Sequence, residues 1–148
     1  MAGVTEIHQA GAPDIDNRSL YRILRLRQEV FVVEQDCPFI DLDGRDLEAT
    51  TVHLWVDEDA EAPSVTACLR ILAEPGGGTQ LGRIVTAPAA RGRGIGGELI
   101  ERALSLTGPP WVLKAQARLA GWYEAFGFRI DGPEFIEDGI PHVPMRRD

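Results

Sequence analysis

The chain has 148 residues, of which 44% are hydrophobic, and it carries a formal net charge of −8 at pH 7. A chain of this length normally folds around a single core, so we expect one domain over residues 1–148. The acidic balance argues against a nucleic-acid-binding surface. The first residues lack the pattern of a secretion signal, and no apolar run approaches the length of a membrane span. We therefore expect a soluble, cytoplasmic protein with no membrane partner.

The first half of the chain predicts a strand, a helix and a hairpin. Residues 4–9 alternate apolar and polar side chains, which is typical of a strand. From Ser19 the apolar residues recur at steps of three and four, which predicts a helix with Asn17 or Ser19 as its N-cap. Residues 51–57 and 64–72 favour two antiparallel strands joined by a polar turn. His53 lies inside the first of these strands, and we interpret it as a structural histidine.

The central stretch, residues 80–106, predicts a strand, a glycine-rich turn and a helix. Four of the six residues from 92 to 97 are glycine. Each would cost up to about 1 kcal/mol in a helix interior relative to alanine, so the pattern favours a backbone that must lie close to a ligand. Free N–H groups and the helix dipole at a helix start attract phosphate. With Arg91 and Arg93 adjacent, the turn predicts a phosphate or diphosphate site.

Two phosphate-binding patterns fit this turn. Gly92, Gly94 and Gly97 satisfy the dinucleotide fingerprint G-x-G-x-x-G, which requires an acidic residue at the end of the following strand. That strand, residues 111–115, ends without an aspartate or glutamate. The other pattern, Arg/Gln-x-x-Gly-x-Gly/Ala directly after a strand, is matched by residues 91–96. The sequence therefore favours the second pattern over a dinucleotide-binding protein.

The C-terminal third predicts a closing set of strands around one more helix. Residues 116–126 have a helical pattern, and Gly127 follows as a C-terminal cap. Residues 128–130, 134–137 and 143–147 favour short strands. Together the elements predict an α+β fold: a mixed, mostly antiparallel sheet that contains one β-α-β crossover and is flanked by helices.

The segment of residues 34–46 is rich in acidic side chains and has two open interpretations. It is either a lid whose carboxylates receive an amine, or a turn with helix caps. The downstream glutamate of a calcium-binding EF-hand loop is missing. Cys37 and Cys68 are too far apart in sequence for a metal or redox motif. We expect no metal, and free thiols fit a reducing compartment.

Four blocks of the sequence carry a resemblance to a known family: residues 30–44, 91–97, 115–128 and 137–142. They resemble the ElaA-type branch of the GNAT N-acetyltransferase superfamily. The resemblance implies the three-layer mixed α/β fold of acyl-CoA N-acyltransferases and direct transfer of an acetyl group from acetyl-coenzyme A to a primary amine. A non-catalytic coenzyme A-binding module is the alternative. Residues 30–35 also resemble acyl-homoserine-lactone synthases, which would require a different substrate face.

The resemblance also implies residue roles on the coenzyme side. Tyr123 matches the general acid that gives a proton to the leaving thiolate. Because Trp122 and Phe126 are larger and four residues apart, we expect them to face the core and leave Tyr123 pointing toward the thioester. The residues implied to hold the coenzyme are Ile84, Val85, Thr86, Arg91, Gly92, Arg93, Gly94, Ile95, Gly96, Gly97 and Gln116.

The base that accepts the amine proton has two candidates, Glu34 and His142, and water remains a third. An imidazole titrates near neutral pH, which suits a base. The apolar run before Glu34 would raise the pKa of its carboxyl group, whereas an ion pair with Arg70 or Arg83 would make Glu34 structural. The residues expected to contact the acceptor are Gln35, Asp41, Asp43 and Arg83. A small-molecule or peptide amine fits as acceptor, and a homodimer is left open.

Overall fold

The computed structural model describes residues 4–148, which form three α-helices and eight strands in one mixed sheet. The helices are α1 (Asn17–Arg27), α2 (Ile95–Leu106) and α3 (Ala120–Glu124). The strands are β1 (His8–Gly11), β2 (Val52–Val56), β3 (Ala67–Ala73), β4 (Thr79–Thr86), β5 (Trp111–Gln116), β6 (Arg129–Ile130), β7 (Phe135–Glu137) and β8 (Ile140–Arg147). No helix within residues 4–148 is long and apolar enough to cross a membrane.

The sheet runs in the order β1-β2-β3-β4-β5-β8-β6, and β7 also pairs with β8. Only the β4–β5 pairing is parallel in this part of the chain, which confirms the predicted crossover within a mostly antiparallel sheet. The first strand was predicted at residues 4–9, but it lies at His8–Gly11. Its position is fixed by pairing with β2, where His8 stands opposite Trp55 and the two rings stack.

Helices cover both faces of the sheet, so the fold has three layers. On one face α1 packs Ile23 and Leu26 against Trp55 and Val85. On the other face α2 and α3 enclose the larger core cluster, which includes Leu99 at the centre of α2. The predicted α+β fold of three layers is therefore confirmed.

The start and end of α1 differ from the sequence prediction. Asp16, rather than Asn17 or Ser19, caps the helix, because its carboxylate accepts a hydrogen bond of 2.8 Å from the Ser19 backbone N–H. The helix then continues as a π-helix over Gln28–Glu34. The π-helix is rare and frequently occurs at functional sites. Here the π-helix places Glu34 and its C-cap, Gln35, beside the opening between β4 and β5.

Strands β4 and β5 begin side by side and then diverge. Their register contains only Thr79 opposite Trp111 and Gln80 opposite Val112. A bulge in β4 lies beside the point of divergence, because the register against β3 shifts between Cys68 and Arg70. At this bulge Arg83 adopts a φ of 49°, an uncommon left-handed conformation for a residue other than glycine. The divergence leaves a wedge-shaped opening between the C-terminal ends of the two strands.

Candidate active site

The opening between β4 and β5 is a cleft of about 1000 Å³. Its walls include the glycine-rich turn, the end of the π-helix, α3 and the β7–β8 turn. Most of the residues predicted from sequence for the coenzyme or the acceptor line this one cleft. Arg93 is the exception, since it does not line it.

The glycine-rich turn is built to bring backbone close to a ligand. Gly92 and Gly94 have φ values of 80° and 78°, which side chains rarely adopt, and no atom lies within 4 Å of where their side chains would begin. Gly94 caps α2, and no side chain hydrogen-bonds to the start of that helix. The first N–H groups of an α-helix have no partner inside it. This turn therefore fits the diphosphate of a nucleotide coenzyme.

The two arginines beside the turn are held by carboxylates. Arg91 donates two hydrogen bonds, of 2.9 and 2.8 Å, to Glu34, and its Nε donates to the carbonyl oxygen of Thr86. Arg93 makes a similar two-pronged pair with Glu58. Arg91 thus ties the glycine-rich turn to the end of β4 and to the π-helix.

The pairing of Glu34 corrects the sequence prediction for this residue. Its partner is Arg91 rather than Arg70 or Arg83. The hydrogen bonds from Arg91 lower the pKa of the Glu34 carboxyl group, whereas the preceding apolar run was expected to raise it. The carboxylate faces the exposed side of the turn rather than an apolar environment. A carboxylate held in its charged form by an arginine is a weak proton acceptor.

Tyr123 lies in the wall of the cleft, beneath Trp122. The expectation for Trp122 is wrong, since it is 40% exposed instead of facing the core, whereas Tyr123 is only 8% exposed and still lines the cleft. Trp122 rests instead against the turn, where a methyl group added to Gly96 would lie 3.4 Å from its ring. Burial raises the pKa of Tyr123 to about 12. Its hydroxyl group makes no hydrogen bond to any residue of the described range 4–148.

His142 lies on β8, opposite Gln116 of β5. Its Nδ1 lies 2.7 Å from the carbonyl oxygen of Ile140, which can only accept, so Nδ1 carries the proton. In the neutral ring Nε2 is therefore the acceptor. The ring stacks on Phe135, and Nε2 lies 4.0 Å from a carboxylate oxygen of Glu137. The histidine is thus oriented by its surroundings with one nitrogen able to take a proton.

Gln35 and Gln116 meet across the cleft. The Gln116 amide donates a hydrogen bond of 3.1 Å to the Gln35 side chain, and Arg118 donates one of 3.0 Å to Gln116. Arg118 was missed by the sequence analysis. It follows β5 directly, lines the cleft and forms no ion pair with a carboxylate in residues 4–148. The sequence signal that could have indicated Arg118 is its basic side chain two positions after β5, the strand that carries Gln116.

Comparisons with known proteins agree with this geometry. A family model described as an acetyltransferase (GNAT) domain matches residues 45–148. A UPF0039 protein of Mycobacterium tuberculosis is 47% identical over 146 residues, covering 95% of this chain and 92% of the relative. The chain belongs to the GNAT acetyltransferase family. It is an acyltransferase, and its similarity to ElaA of Escherichia coli, 37% identical over 87% of each chain, supports the ElaA-type branch.

Solved structures of GNAT proteins match the whole sheet. The crystal structure of an acyl-CoA N-acyltransferase from Pseudomonas aeruginosa superposes with a TM-score of 0.88 at 39% identity, covering 98% of this chain and all of that one. The crystal structure of Escherichia coli ElaA superposes with a TM-score of 0.86 at 32% sequence identity, also over 98% of this chain. The GNAT acyltransferase fold predicted from the sequence is therefore confirmed.

In this GNAT domain the acidic segment is pinned by buried arginines. Asp46 accepts a hydrogen bond of 2.5 Å from Arg27, and Asp43 accepts two, of 2.8 and 2.9 Å, from Arg70. Asp41 pairs with both Arg27 and Arg83. Burial opposes ionisation of Asp43, but the hydrogen bonds from Arg70 and from the Arg45 backbone hold its pKa at about 2.

The structure decides in part between the two interpretations of residues 34–46, a lid that receives an amine or a turn with helix caps. The carboxylates of Asp41 and Asp43 line the cleft, as expected for acceptor contacts, but each is already paired with an arginine. The segment is therefore a fixed wall whose charges are internally balanced. Asp46 was not singled out from sequence because its arginine partners come from distant parts of the chain.

His53 is structural in this acetyltransferase, as expected. It is buried inside β2, and its Nε2 donates a hydrogen bond of 3.0 Å to the carbonyl oxygen of Asp46. Desolvation lowers the pKa of its imidazole, so the ring stays neutral beside Arg27 and Arg70. No group of three or more metal-binding side chains occurs in the range 4–148.

Proposed function

We propose that this GNAT domain transfers an acetyl group from acetyl-coenzyme A directly to the primary amine of a small molecule or peptide, in the cytoplasm. The observation that carries the proposal is one cleft that holds a phosphate-binding turn, a bulged strand and a buried tyrosine hydroxyl. The two free cysteine thiols, both buried, fit a reducing compartment.

The coenzyme would be held along the inner edge of β4. The N–H groups of the glycine-rich turn would bind its diphosphate, and Arg118, beside Glu34 and Gln116, would add a positive charge for the coenzyme. Because β5 has moved away, the backbone groups of Ile84 and Thr86 on β4 are available to pair with the pantetheine arm and to polarise the acyl carbonyl. When bound, acetyl-coenzyme A supplies the thioester.

His142 is the base that we assign. Its Nε2 has a free lone pair because Nδ1–H donates to Ile140, and Glu137 lies where it would attract the imidazolium formed by proton uptake. Glu34 is disfavoured because Arg91 holds its carboxylate in the charged form. For His142 to act as the base, the acceptor nitrogen must bind between His142 and the bulge in β4.

The proposed reaction conserves atoms and charge as follows. The acceptor ammonium ion first releases one proton to solvent; the neutral amine nitrogen then forms a bond to the acyl carbon, and the carbon–sulfur bond breaks. The amine loses one proton to His142 Nε2, and the leaving thiolate takes one proton from the Tyr123 hydroxyl. The products are an N-acetyl amide and the free thiol of coenzyme A, and both side chains return to their starting protonation states by exchange with solvent.

Two measurements test this function. Calorimetry should show one molecule of acetyl-coenzyme A bound per chain and no binding of NAD, whereas a dinucleotide-binding protein would give the reverse. A screen of primary amines with acetyl-coenzyme A should release the free thiol, detected with a chromogenic disulfide. A protein that binds acetyl-coenzyme A but releases no thiol with any amine would be a non-catalytic coenzyme A-binding module.

A further inference from the structure

We infer that the acceptor is a primary amine carried on an apolar body that has no carboxylate or phosphate group close to the amine. This inference rests on the proposed function and specifies its substrate class. It comes from the half of the cleft that lies away from the glycine-rich turn, which we call the acceptor half. This half is lined by Gln35, Ile40, Asp41, Asp43, Arg45, Arg70, Arg83, Lys114, Glu137, Asp138 and His142.

The acceptor half is enclosed by an arch of chain, residues 35–43. The arch starts at Gln35, which is joined to Gln116 on β5. It reaches the β7–β8 turn, where the Cys37 thiol donates a hydrogen bond of 2.9 Å to the carbonyl oxygen of Asp138. It returns to β4, where Asp41 is held by Arg83. Lys114 and His142, on the neighbouring strands β5 and β8, line the same cleft, so the arch and the sheet both contribute to the wall around the acceptor half.

Each cationic side chain of the acceptor half is paired with a carboxylate, and the one arginine of the cleft without such a pair in residues 4–148, Arg118, lies on the coenzyme side beside Glu34. Arg70 lies 2.8 Å from Asp43, and Arg83 lies 2.7 Å from Asp41. Arg45 lies 3.1 Å from Glu48, and Lys114 lies 3.4 Å from Glu137. A carboxylate or phosphate on the acceptor would therefore find no free cation and would have to displace a carboxylate of the protein. Desolvating an anion without a partner is strongly unfavourable.

The charge that remains available at the mouth is negative. Asp138, on the exposed β7–β8 turn, forms no ion pair with any residue in the range 4–148 and lines the cleft. Glu137, the partner of Lys114, is 40% exposed on its side chain. Both carboxylates favour the approach of an ammonium ion and oppose an anion.

The outer edge of the arch is apolar. Ile40 lines the cleft and is 85% exposed. Phe39 lies against Gly139 of the facing turn, and Ile136 is 67% exposed on β7. Of these side chains Ile40 is the one that lines the cleft, so the body of an acceptor would lie against it and could extend over the exposed apolar surface of Phe39 on the same arch. An apolar body would bury them, whereas a polar body would not.

A matched pair of acceptors tests the inference. 2-Phenylethylamine and phenylalanine share the ring, the spacing and the amine and differ by one carboxylate. In the thiol-release assay we expect kcat/KM to be at least about 10²-fold higher for 2-phenylethylamine, since the carboxylate has no partner. Ethylamine should also be poorer than 2-phenylethylamine, because it cannot cover the apolar edge.

A variant should shift this preference. Glu137→Gln removes the partner of Lys114 and leaves its ammonium group free for the carboxylate of phenylalanine. The ratio of kcat/KM for phenylalanine to that for 2-phenylethylamine should therefore rise at least about tenfold, which a loss of activity alone would not cause. Glu134→Gln, an exposed residue of the same segment, removes the same charge and should leave the ratio unchanged.

Three outcomes would overturn the substrate class. One is equal or better turnover of phenylalanine by the natural protein, and another is an unchanged ratio in Glu137→Gln. The third is a failure to acetylate 2-phenylethylamine while another amine in the same screen releases thiol. In the first and third outcomes the acetyltransfer function stands and only the acceptor class fails. Absence of acetyl-coenzyme A binding by calorimetry would instead refute the proposed function.

Discussion

Replacing Tyr123 by phenylalanine separates a catalytic hydroxyl from a structural one. The ring contributes to the core, and phenylalanine preserves that packing. The hydroxyl group makes no hydrogen bond within residues 4–148, so its removal should change the free energy of unfolding by less than about 0.5 kcal/mol. If the hydroxyl protonates the leaving thiolate, kcat should fall by about 10² to 10⁴. That loss corresponds to about 3 to 5 kcal/mol of transition-state stabilisation.

The pH dependence of the natural enzyme also tests whether Tyr123 is the proton donor. Because burial raises the pKa of Tyr123 to about 12, the phenol stays protonated, and so able to donate, throughout the range of pH 6 to 10. The rate should therefore show no loss at the alkaline end of this range that can be assigned to this tyrosine. The loss of rate in Tyr123→Phe should be constant over that range.

The assay is thiol release at saturating acetyl-coenzyme A, with single-turnover measurements to ensure that chemistry limits the rate. Tyr21→Phe is the matched control, because Tyr21 lies exposed on α1 and far from the cleft wall. Affinity for acetyl-coenzyme A should be unchanged in both variants. A Tyr123→Phe enzyme that keeps kcat within threefold of the natural enzyme would remove the general-acid role.

Three further predictions follow from the ion pairs and the histidine. His142→Gln should lower kcat by about 10² to 10⁴, whereas Glu34→Gln should lower it much less; the reverse result would make Glu34 the base. Arg27→Met should lower the free energy of unfolding by about 3 to 5 kcal/mol in urea titrations, because it leaves Asp46 buried without its main partner, and a change below 1 kcal/mol would contradict this. Asp43 has a pKa below its unfolded value, so its contribution is present above about pH 4 and is lost as pH falls toward 2; after allowing for partial exposure it amounts to about 1 kcal/mol, and in Asp43→Asn the acid-dependent loss of stability should shrink by that amount.

The order and type of the main elements could be predicted because they depend on local signals. Residues 80–106 contain a β-branched run, glycines and an apolar repeat in direct succession, and the structure forms β4, the turn and α2 there. The parallel pairing of β4 and β5 followed from the intervening helix. Element ends were less certain, since β1 takes its position from β2 rather than from its own alternation.

The contacts of the site could not be predicted, because they join residues far apart in the chain. Nothing local to Glu34 indicates that Arg91, 57 positions later, will hold it. The orientation of Trp122 and Tyr123 was inferred from size and helical spacing alone. The prediction for Trp122 failed because Gly96, on another helix, leaves room for the indole ring outside the core. Asp46 and Arg118 were missed for the same reason, because their roles depend on neighbours that are distant in the sequence.

The short register between β4 and β5 has a mechanical consequence. Two pairs of residues join a first unit, which carries α1, α2 and the glycine-rich turn, to a second unit, which carries Tyr123, Gln116 and His142. Outside those pairs the two units are joined by side chains, Gln35 to Gln116 and Cys37 to Asp138, and by a shared core, so the distance from the Tyr123 hydroxyl to a bound thioester depends on these contacts as well as on the short register. A substitution at Val112, which does not line the cleft, should therefore change that distance and lower the rate without removing a contact to either substrate.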